Sequence, residues 1–459
     1  MIRKTSDVTV VGSGFSGLVA AHILAKRGLR VLLVDENVRM GGQLLRSLPR
    51  SGGSSGTGGL RRYGFCLIDL VKKESIEILN RTKVLDVDEQ KVLLLEREEK
   101  EILSVESDVV LLATGARERF MPFKGWTLPG VISTGAAQIL MKGSGVLPAR
   151  KMLVSGAGPF LLAVAAEYLR NHGKLLSVLD RGGVADKLLL LAHGLWDLPK
   201  VVEGALHLAV IFMARVPLHH RTTVVEARGC GELDTVVAAK VSKDGGILEG
   251  TERTYRTGCL AVGWGFTPNI ELPQLAGCAL EWDGSMGGWV VKVGEDLETS
   301  VHGVFAAGEM TGIAGALKSI HEGEIAAYGI LKKLGREVDS NRLGRLKRKR
   351  SRDLRFGLHF NRLSRLPDRA FLSIPDDVII CRCEDVTMGH IRKAVNEGYD
   401  TPATIKRALR IGMGNCQGRT CAPLLYDILS ALTERASKDI PLLSARTPVK
   451  PVAIRSFLE

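Results

Sequence analysis

Four cysteines near the carboxyl end of the 459-residue chain have the spacing of a metal or iron–sulfur site. One residue separates Cys381 from Cys383, thirty-two residues follow, and four residues separate Cys416 from Cys421. Four thiolates can ligate a [2Fe–2S] cluster or Zn²⁺. Structural zinc sites usually have two to four residues between the cysteines of each pair, so the pattern favours the cluster. Zinc and four unliganded thiols are the alternatives.

Two predicted helices and a glycine-rich loop would bring the two cysteine pairs together. Thr387 has the residue type of an N-cap for a helix over 388–397, and residues 402–409 favour a second helix. The loop that follows has backbone amides free to face sulfur, because it is rich in glycine. Basic residues nearby would offset the negative charge of a thiolate cluster: Arg382, Lys406, Arg407, Arg410 and Arg419.

A glycine turn between two apolar strands opens the chain. Residues 8–11 predict a buried strand, the sequence Gly12-Ser-Gly14-Phe-Ser-Gly17 follows, and a helix is predicted from residue 18. In a dinucleotide-binding turn the first glycine permits the tight bend and the second lets the backbone approach a pyrophosphate. The third lets helix and strand pack closely. The free amides at the helix start would face the phosphates.

An acid follows the second predicted strand, residues 31–34, at about the distance from the turn that ribose recognition requires. Asp35 is the predicted acceptor for the adenosine ribose, with Glu36 as the fallback. Three further pieces recur downstream: a glycine pair before Gln43, a strand ending at residues 113–115, and a strand ending at residues 308–309.

Together these pieces resemble the FAD domain of the glutathione-reductase-like flavoproteins, which bind two dinucleotides. The family usually has Asp near the flavin ribityl chain, where this chain has Glu309. The predicted FAD-binding residues are Gly12, Gly14, Phe15, Ser16, Gly17, Asp35, Glu36, Gly42, Gln43, Val84, Ala113, Thr114, Gly115, Gly308 and Glu309.

A second unit repeats the order of strand, glycine turn, helix, strand and acid. Gly156 and Gly158 form its turn and Asp180 ends its second strand, but Leu161 replaces the third glycine. Asp180 favours a free 2′-hydroxyl, hence NAD, although the adjacent Arg181 blurs that preference. We expect either a site for NAD or another adenine nucleotide, or a degenerate domain kept for packing.

Composition excludes several other classes of protein. The longest apolar runs are far shorter than the ~18 residues of a membrane span, and the polar first residues predict no leader, so we expect a cytoplasmic protein. Residues 341–370 contain eleven Arg or Lys and two Asp, an excess of nine within the net charge of +13. The positive charge is therefore local, and no nucleic-acid surface is expected. No Cys-x-x-Cys occurs, so the usual redox disulfide is missing.

The glycine turns, residues 125–131 and 287–291, and the cysteine quartet occur in an order that resembles one group of flavoproteins. It comprises the α subunits of dye-linked proline or hydroxyproline dehydrogenases, opine oxidase, hydrogen cyanide synthase and heterotetrameric sarcosine oxidase. The quartet region resembles the bacterioferritin-associated-ferredoxin-like [2Fe–2S] domain. The resemblance implies a flavoprotein β subunit that oxidises an amino acid, an external electron acceptor, and FMN at a subunit interface as a further cofactor.

The expected fold is α/β, with two Rossmann-like domains, one inserted in the other, and a small helical [2Fe–2S] domain. The expected function is electron transfer between flavin and cluster. The alternatives are a self-contained NAD(P)H-dependent reductase and a non-catalytic assembly subunit. The predicted boundaries are 1–120 and 262–340 for the FAD domain, 121–261 for the inserted domain, 341–372 for a basic linker, 373–436 for the [2Fe–2S] domain and 437–459 for a tail.

Overall fold

The computed structural model describes residues 2–46, 59–183 and 198–457. In chain order the strands are β1 (Ile2–Val11), β2 (Val31–Val34), β3 (Ile76–Leu79), β4 (Thr82–Val87), β5 (Val92–Arg97), β6 (Glu101–Leu112), β7 (Ala116–Glu118), β8 (Val131–Ser133), β9 (Lys151–Gly156), β10 (Lys174–Asp180), β11 (Leu218–His220), β12 (Thr222–Arg228), β13 (Thr235–Lys240), β14 (Arg253–Arg256), β15 (Leu260–Gly263), β16 (Phe266–Pro268), β17 (Leu280–Asp283), β18 (Gly288–Val291), β19 (Val304–Ala306), β20 (Ile379–Cys381) and β21 (Val386–Thr387).

The α-helices of the described ranges are α1 (Phe15–Lys26), α2 (Gly59–Lys73), α3 (Thr134–Ile139), α4 (Phe160–Arg170), α5 (Leu198–Met213), α6 (Glu271–Leu275), α7 (Ala316–Lys333), α8 (Ser340–Arg362), α9 (Asp368–Leu372), α10 (Met388–Asn396), α11 (Pro402–Leu409) and α12 (Cys421–Thr433). None of them is long and apolar enough to cross a membrane.

The chain divides into two compact units. The first contains Met1–Arg117, Thr267–Leu358 and Ser444–Glu459, and the second contains Glu118–Phe266 and His359–Leu443. Each unit is therefore assembled from segments that are distant in the sequence.

The first unit has a seven-stranded sheet in the order β3-β2-β1-β6-β5-β4. Strand β6 is long enough to pair with β5 along its first half and with β19 along its second half. The strands on the β3 side and β19 are parallel, whereas β4 and β5 are antiparallel. Helices α1 and α7 pack on one face, so the parallel strands are buried and read as continuous apolar runs.

The second unit has a parallel five-stranded sheet in the order β11-β10-β9-β15-β8 and an antiparallel sheet of β12, β13 and β14. Its carboxyl-terminal part is helical. Helix α10 is capped by Thr387 and α11 by Thr401, each of which accepts a hydrogen bond from the backbone three residues later. The predicted cap and both predicted helices are thus confirmed.

The α/β fold with two Rossmann-like sheets is confirmed. The loop predicted over residues 49–59 lies outside the described residues up to residue 58, and Gly59 begins α2. The basic stretch predicted as a linker forms most of α8, which buries Leu343 and Leu346. The carboxyl-terminal segment, to which the sequence assigned no role, belongs to the first unit from Ser444 onward.

Candidate functional site

The glycines of the first turn are required for two different reasons. A Cβ on Gly12, whose φ is +104°, would lie 2.4 Å from the carbonyl oxygen of Ala113, and a Cβ on Gly17 would lie 1.9 Å from that of Gly12. A Cβ on Gly14 would meet nothing within 4 Å. Gly12 and Gly17 therefore permit close packing of strand and helix, while Gly14 leaves open space where a pyrophosphate would approach.

The carboxylate of Asp35 is fully engaged by the protein itself. One oxygen accepts hydrogen bonds from the backbone N–H and the hydroxyl of Ser13, at 2.7 and 2.6 Å. The other accepts from the backbone N–H and the side-chain amide of Asn37, at 2.8 and 2.7 Å. Asp35 is buried and ties the glycine turn to the end of β2, whereas the side chain of Glu36 is 51% exposed.

The downstream pieces predicted from the sequence lie against the same turn. A Cβ on Gly42 would lie 3.0 Å from the Cα of Gly14, and one on Gly308 would lie 2.6 Å from the hydroxyl oxygen of Ser16. Gln43, which follows this glycine pair, is exposed. The structure thus brings segments from three parts of the chain to one glycine turn.

Other predicted residues have supporting positions in this unit. Phe15 and Val84 are buried in the hydrophobic core. Thr114 and Gly115, which follow β6, accept hydrogen bonds through their carbonyl oxygens from the side chain and the backbone N–H of Asn269, at 2.7 and 3.0 Å. Their contacts fix the end of β6 beside the turn.

Glu309 caps the helix that follows it. Its carboxylate accepts a hydrogen bond from the backbone N–H of Gly315 at 2.8 Å, at the start of α7. Burial raises the pKa of the Glu309 carboxyl, against the opposing charge of Lys318. The helix start that the sequence directs at a flavin therefore carries a carboxyl group of the chain itself.

A buried ionic network beneath this loop is absent from the sequence predictions. The ammonium of Lys318 donates to the carbonyl oxygen of Gly308 at 2.5 Å and to the hydroxyl of Thr311, and it pairs with Glu322 at 2.8 Å. Glu322 also accepts from the backbone N–H of Gly308 and from Arg350, at 2.8 and 2.7 Å. A Lys–Glu pair four residues apart on an otherwise buried helix is the sequence signal that could have identified it.

The glycine turn of the second unit is covered by another part of that unit. A Cβ on Gly158 would lie 2.2 Å from the hydroxyl oxygen of Ser364, and one on Gly265 would lie 2.9 Å from the Ser364 Cβ. Ser364 is buried, and its hydroxyl donates to the carbonyl oxygen of Ala157 at 3.3 Å. Gly156 contacts Gly263 of β15 instead. The place where a pyrophosphate would approach this turn thus holds Ser364.

The acid of the second unit is also committed to internal contacts. Asp180 is buried, accepts a hydrogen bond from the backbone N–H of Gly182 at 3.0 Å and lies 3.5 Å from His220. Leu161, which replaces the third glycine, is buried in the core of this unit. The residue that departs from the dinucleotide pattern therefore contributes to packing.

The four cysteines of the quartet meet in the second unit. Side-chain hydrogen bonds connect Cys381 to Cys421, Cys421 to Cys416, and Cys416 to Cys383. Cys381 lies in β20 and Cys421 begins α12, and both are buried, whereas Cys383 is exposed. A Cβ on Gly414 would lie 2.2 Å from the Cβ of Cys383, so the predicted glycine loop does approach the cysteines.

This thiol set has the donor chemistry that iron requires, because thiolates are the ligands of [2Fe–2S] clusters. The hydrogen bond from Cys421 lowers the pKa of Cys381 to about 6 and that of Cys416 to about 4. Within residues 2–46, 59–183 and 198–457, no three His, Cys, Asp or Glu side chains are placed to hold one metal ion. A [2Fe–2S] core shares its four cysteines between two irons, so the set fits that group.

An aromatic side chain fixes the segment between the first two cysteines. The guanidinium of Arg382 lies 5.4 Å from the ring centroid of Trp126, a distance at which a cation–π interaction forms. The indole N–H of Trp126 donates to the carbonyl oxygen of Ile379 at 2.7 Å. Arg419 donates to the carbonyl oxygen of Cys416 at 3.2 Å. Trp126 was not predicted, since 253 residues separate it from its partner Ile379.

Comparison with known families matches both parts of the chain. The family described as pyridine nucleotide-disulphide oxidoreductase matches residues 6–326, and the BFD-like [2Fe-2S] binding domain matches residues 379–431. The first match covers more than half of the chain and the second includes all four cysteines of the quartet.

Curated relatives extend over nearly the full length. The HcnB subunit of hydrogen cyanide synthase from Pseudomonas aeruginosa is 32% identical over 98% of this chain and 97% of its own length. A subunit of opine oxidase from Rhizobium meliloti is 30% identical over 98% and 97%. The solved structure of L-proline dehydrogenase from P. horikoshii has a similar fold, with a TM-score of 0.71 at 22% identity over 98% of this chain and 79% of that chain.

Proposed function

Because the chain belongs to the pyridine nucleotide-disulphide oxidoreductase family, a class of FAD-dependent oxidoreductases, and carries a BFD-like [2Fe-2S] binding domain, we propose a role in electron transfer. The protein is the flavin and iron–sulfur subunit of a heteromeric dehydrogenase or oxidase. A partner flavoprotein subunit oxidises an amino acid or secondary amine of the proline, hydroxyproline, sarcosine or opine class. The electrons then pass through this chain to an external acceptor.

One observation carries the proposal: the same chain holds an open dinucleotide turn and four converging thiols. Gly14 faces free space in the first unit, whereas Gly158 in the second unit is covered by Ser364. This contrast favours one working dinucleotide site, for FAD, and disfavours NADH entering at the second turn. The names of the relatives, which are subunits of an oxidase and a synthase, support an assembly of several chains.

The chain's own residues bind and orient the cofactors. The amides at the start of α1 would face the pyrophosphate beside Gly14, and Cys381, Cys383, Cys416 and Cys421 would ligate the irons. The chemistry that FAD and a [2Fe–2S] cluster supply when bound is the conversion of electron pairs into single electrons. FMN at a subunit interface and an adenine nucleotide in the second unit are further proposed occupants.

The test is purification of the native complex through a tag on this chain. We expect a second, flavin-containing subunit to co-purify and the complex to reduce an artificial dye with one of L-proline, hydroxyproline, sarcosine or an opine. A chain that purifies alone and reduces the dye with NADH at a similar rate would contradict the proposal.

A further inference from the structure

The first dinucleotide site needs a ribose acceptor other than the one the motif suggests. An ionised carboxylate has about four lone-pair positions. Ser13 and Asn37 together donate four hydrogen bonds to Asp35, all between 2.6 and 2.8 Å. A ribose hydroxyl could bind Asp35 only by displacing one of these buried bonds. Asp35 is therefore a structural residue that holds the glycine turn.

The next residue, Glu36, is free to accept and is held by a lysine from the end of the chain. Lys450 forms an ion pair with one Glu36 oxygen, Oε2, and the side chain of Glu36 is about half exposed. The other oxygen, Oε1, makes no hydrogen bond within the part of the chain that the structure describes. Burial lowers the pKa of Lys450 to about 8, while the nearby charge of Asp35 acts to raise it, so the ammonium lies close to both acids.

The segment that carries Lys450 is firmly attached on both sides of that residue. The backbone N–H of Val449 donates to the carbonyl oxygen of Leu85 at 3.0 Å, and Val449 is buried in the core of the first unit. Beyond Lys450, the backbone N–H of Ala453 and the hydroxyl of Ser456 donate to the buried Glu96, at 2.7 and 2.8 Å. These anchors fix where the lysine reaches.

We propose that Glu36, oriented by Lys450, is the ribose-binding acid of the first dinucleotide site. Residues 444–457 are therefore part of that site rather than a tail. Lys450 uses one Glu36 oxygen and leaves the other for the 2′-hydroxyl of an adenosine ribose, which is the group that the acid of this motif binds. The inference rests on the proposed binding of FAD to this unit.

The test measures FAD binding to flavin-stripped protein by quenching of flavin fluorescence. Loss of a hydrogen bond to a charged acceptor corresponds to about tenfold in affinity or more, so Glu36→Ala should raise Kd for FAD roughly tenfold. Lys450→Met keeps the bulk of the side chain and should raise Kd by roughly three- to tenfold. Arg455→Met removes a contact with Glu99 at the far end of the same segment and should leave Kd unchanged.

A FAD analogue with a 2′-deoxyadenosine ribose identifies the group that Glu36 contacts. The unchanged protein should bind this analogue about as weakly as Glu36→Ala binds FAD, and the substitution should have little further effect. Equal losses for FAD and the analogue, or no loss for FAD in Glu36→Ala, would overturn the inference while leaving FAD binding intact. Failure of the unchanged protein to bind FAD would instead contradict the proposed function.

Discussion

Two glycines of the first turn stand three residues apart and are constrained by different things. A Cβ on Gly17 would collide with the backbone of Gly12, whereas one on Gly14 would enter open space at a φ of −68°, which any residue adopts. The sequence pattern alone assigns both to the motif. The structure separates a residue needed for folding from a residue needed for the ligand.

Gly14→Val should therefore fold and lose FAD. Its branched side chain fills the space where a pyrophosphate would lie, which corresponds to a loss of roughly ten- to hundredfold in affinity. The melting temperature of the flavin-free protein should stay close to that of the unchanged protein. Gly17→Val is the matched control and should lower it strongly. Stoichiometric FAD in purified Gly14→Val would count against the assignment of this site.

The cysteines also divide into two sets at the residue scale. Cys383→Ser should lose the cluster or shift its reduction potential, because one of four thiolate ligands is replaced by a weaker hydroxyl. FAD should stay bound, since its predicted residues lie in the first unit. Iron and sulfide analysis with visible spectra checks both expectations.

Cys66 is the matched control, because it is exposed on α2 and lies far from the quartet in sequence. Cys66→Ser should retain full iron content. A normal cluster in the double variant Cys416→Ala and Cys421→Ala would contradict the ligand assignment, and stoichiometric zinc in place of iron would contradict the electron-transfer role.

At the scale of elements, α7 depends on a buried ion pair that supports the loop before it. Lys318 and Glu322 are fully buried, and Lys318 bonds the carbonyl oxygens of Gly308 and Gly312, at 2.5 and 3.0 Å. Lys318→Met should lower the free energy of unfolding by about 3–5 kcal/mol, because it leaves the Glu322 carboxylate short of a partner. Chemical denaturation of the flavin-free protein measures this loss.

A control for that substitution lies on the same helix. Lys332 pairs with Asp296 at 3.3 Å, and its side chain is 66% exposed. Lys332→Met should change the free energy of unfolding by less than about 1 kcal/mol, as is usual for an exposed pair. Equal effects of the two substitutions would show that the buried network does not hold the loop.

The segment after α8 decides what the second glycine turn can bind. Since Ser364 occupies the approach to Gly158, NADH should reduce the flavin of the isolated chain slowly, on the scale of minutes or slower. Stopped-flow absorbance at the flavin band measures the rate, and dithionite serves as the positive control. Flavin bleaching by NADH within the first second would support the self-contained reductase instead.

Local pattern predicted much of the fold but none of the long-range contacts. The strand over Val31–Val34 and the helix over Pro402–Leu409 have the predicted bounds, because apolar runs, a capping threonine and a proline at the first helical position specify them locally. Ser364 lies 207 residues from its partner Ala157, and no sequence period connects them.

The sites were predicted to different depths for the same reason. Gly12, Gly14 and Gly17 meet Gly308 as the resemblance implied, since a known arrangement specifies their contacts. Asp35 was predicted as a ribose ligand, but its partners Ser13 and Asn37 are polar neighbours whose side-chain directions a sequence does not show. The domain boundaries and ligand roles stay predictions until they are measured.

At the scale of the whole molecule, the account places two redox cofactors in one chain that receives electrons from a partner subunit. The relatives that match nearly the full length are named as subunits, which is consistent with such an assembly. The central claim is therefore that the flavin and the cluster exchange electrons during turnover of the amine substrate.

Electron paramagnetic resonance of the native complex, frozen after anaerobic mixing with its amine substrate, tests that claim most directly. The account predicts the signal of a reduced [2Fe–2S] cluster, which grows as the flavin absorbance bleaches and disappears in the complex that contains Cys383→Ser. A cluster that dithionite reduces but substrate never does, while the flavin bleaches fully, would contradict it.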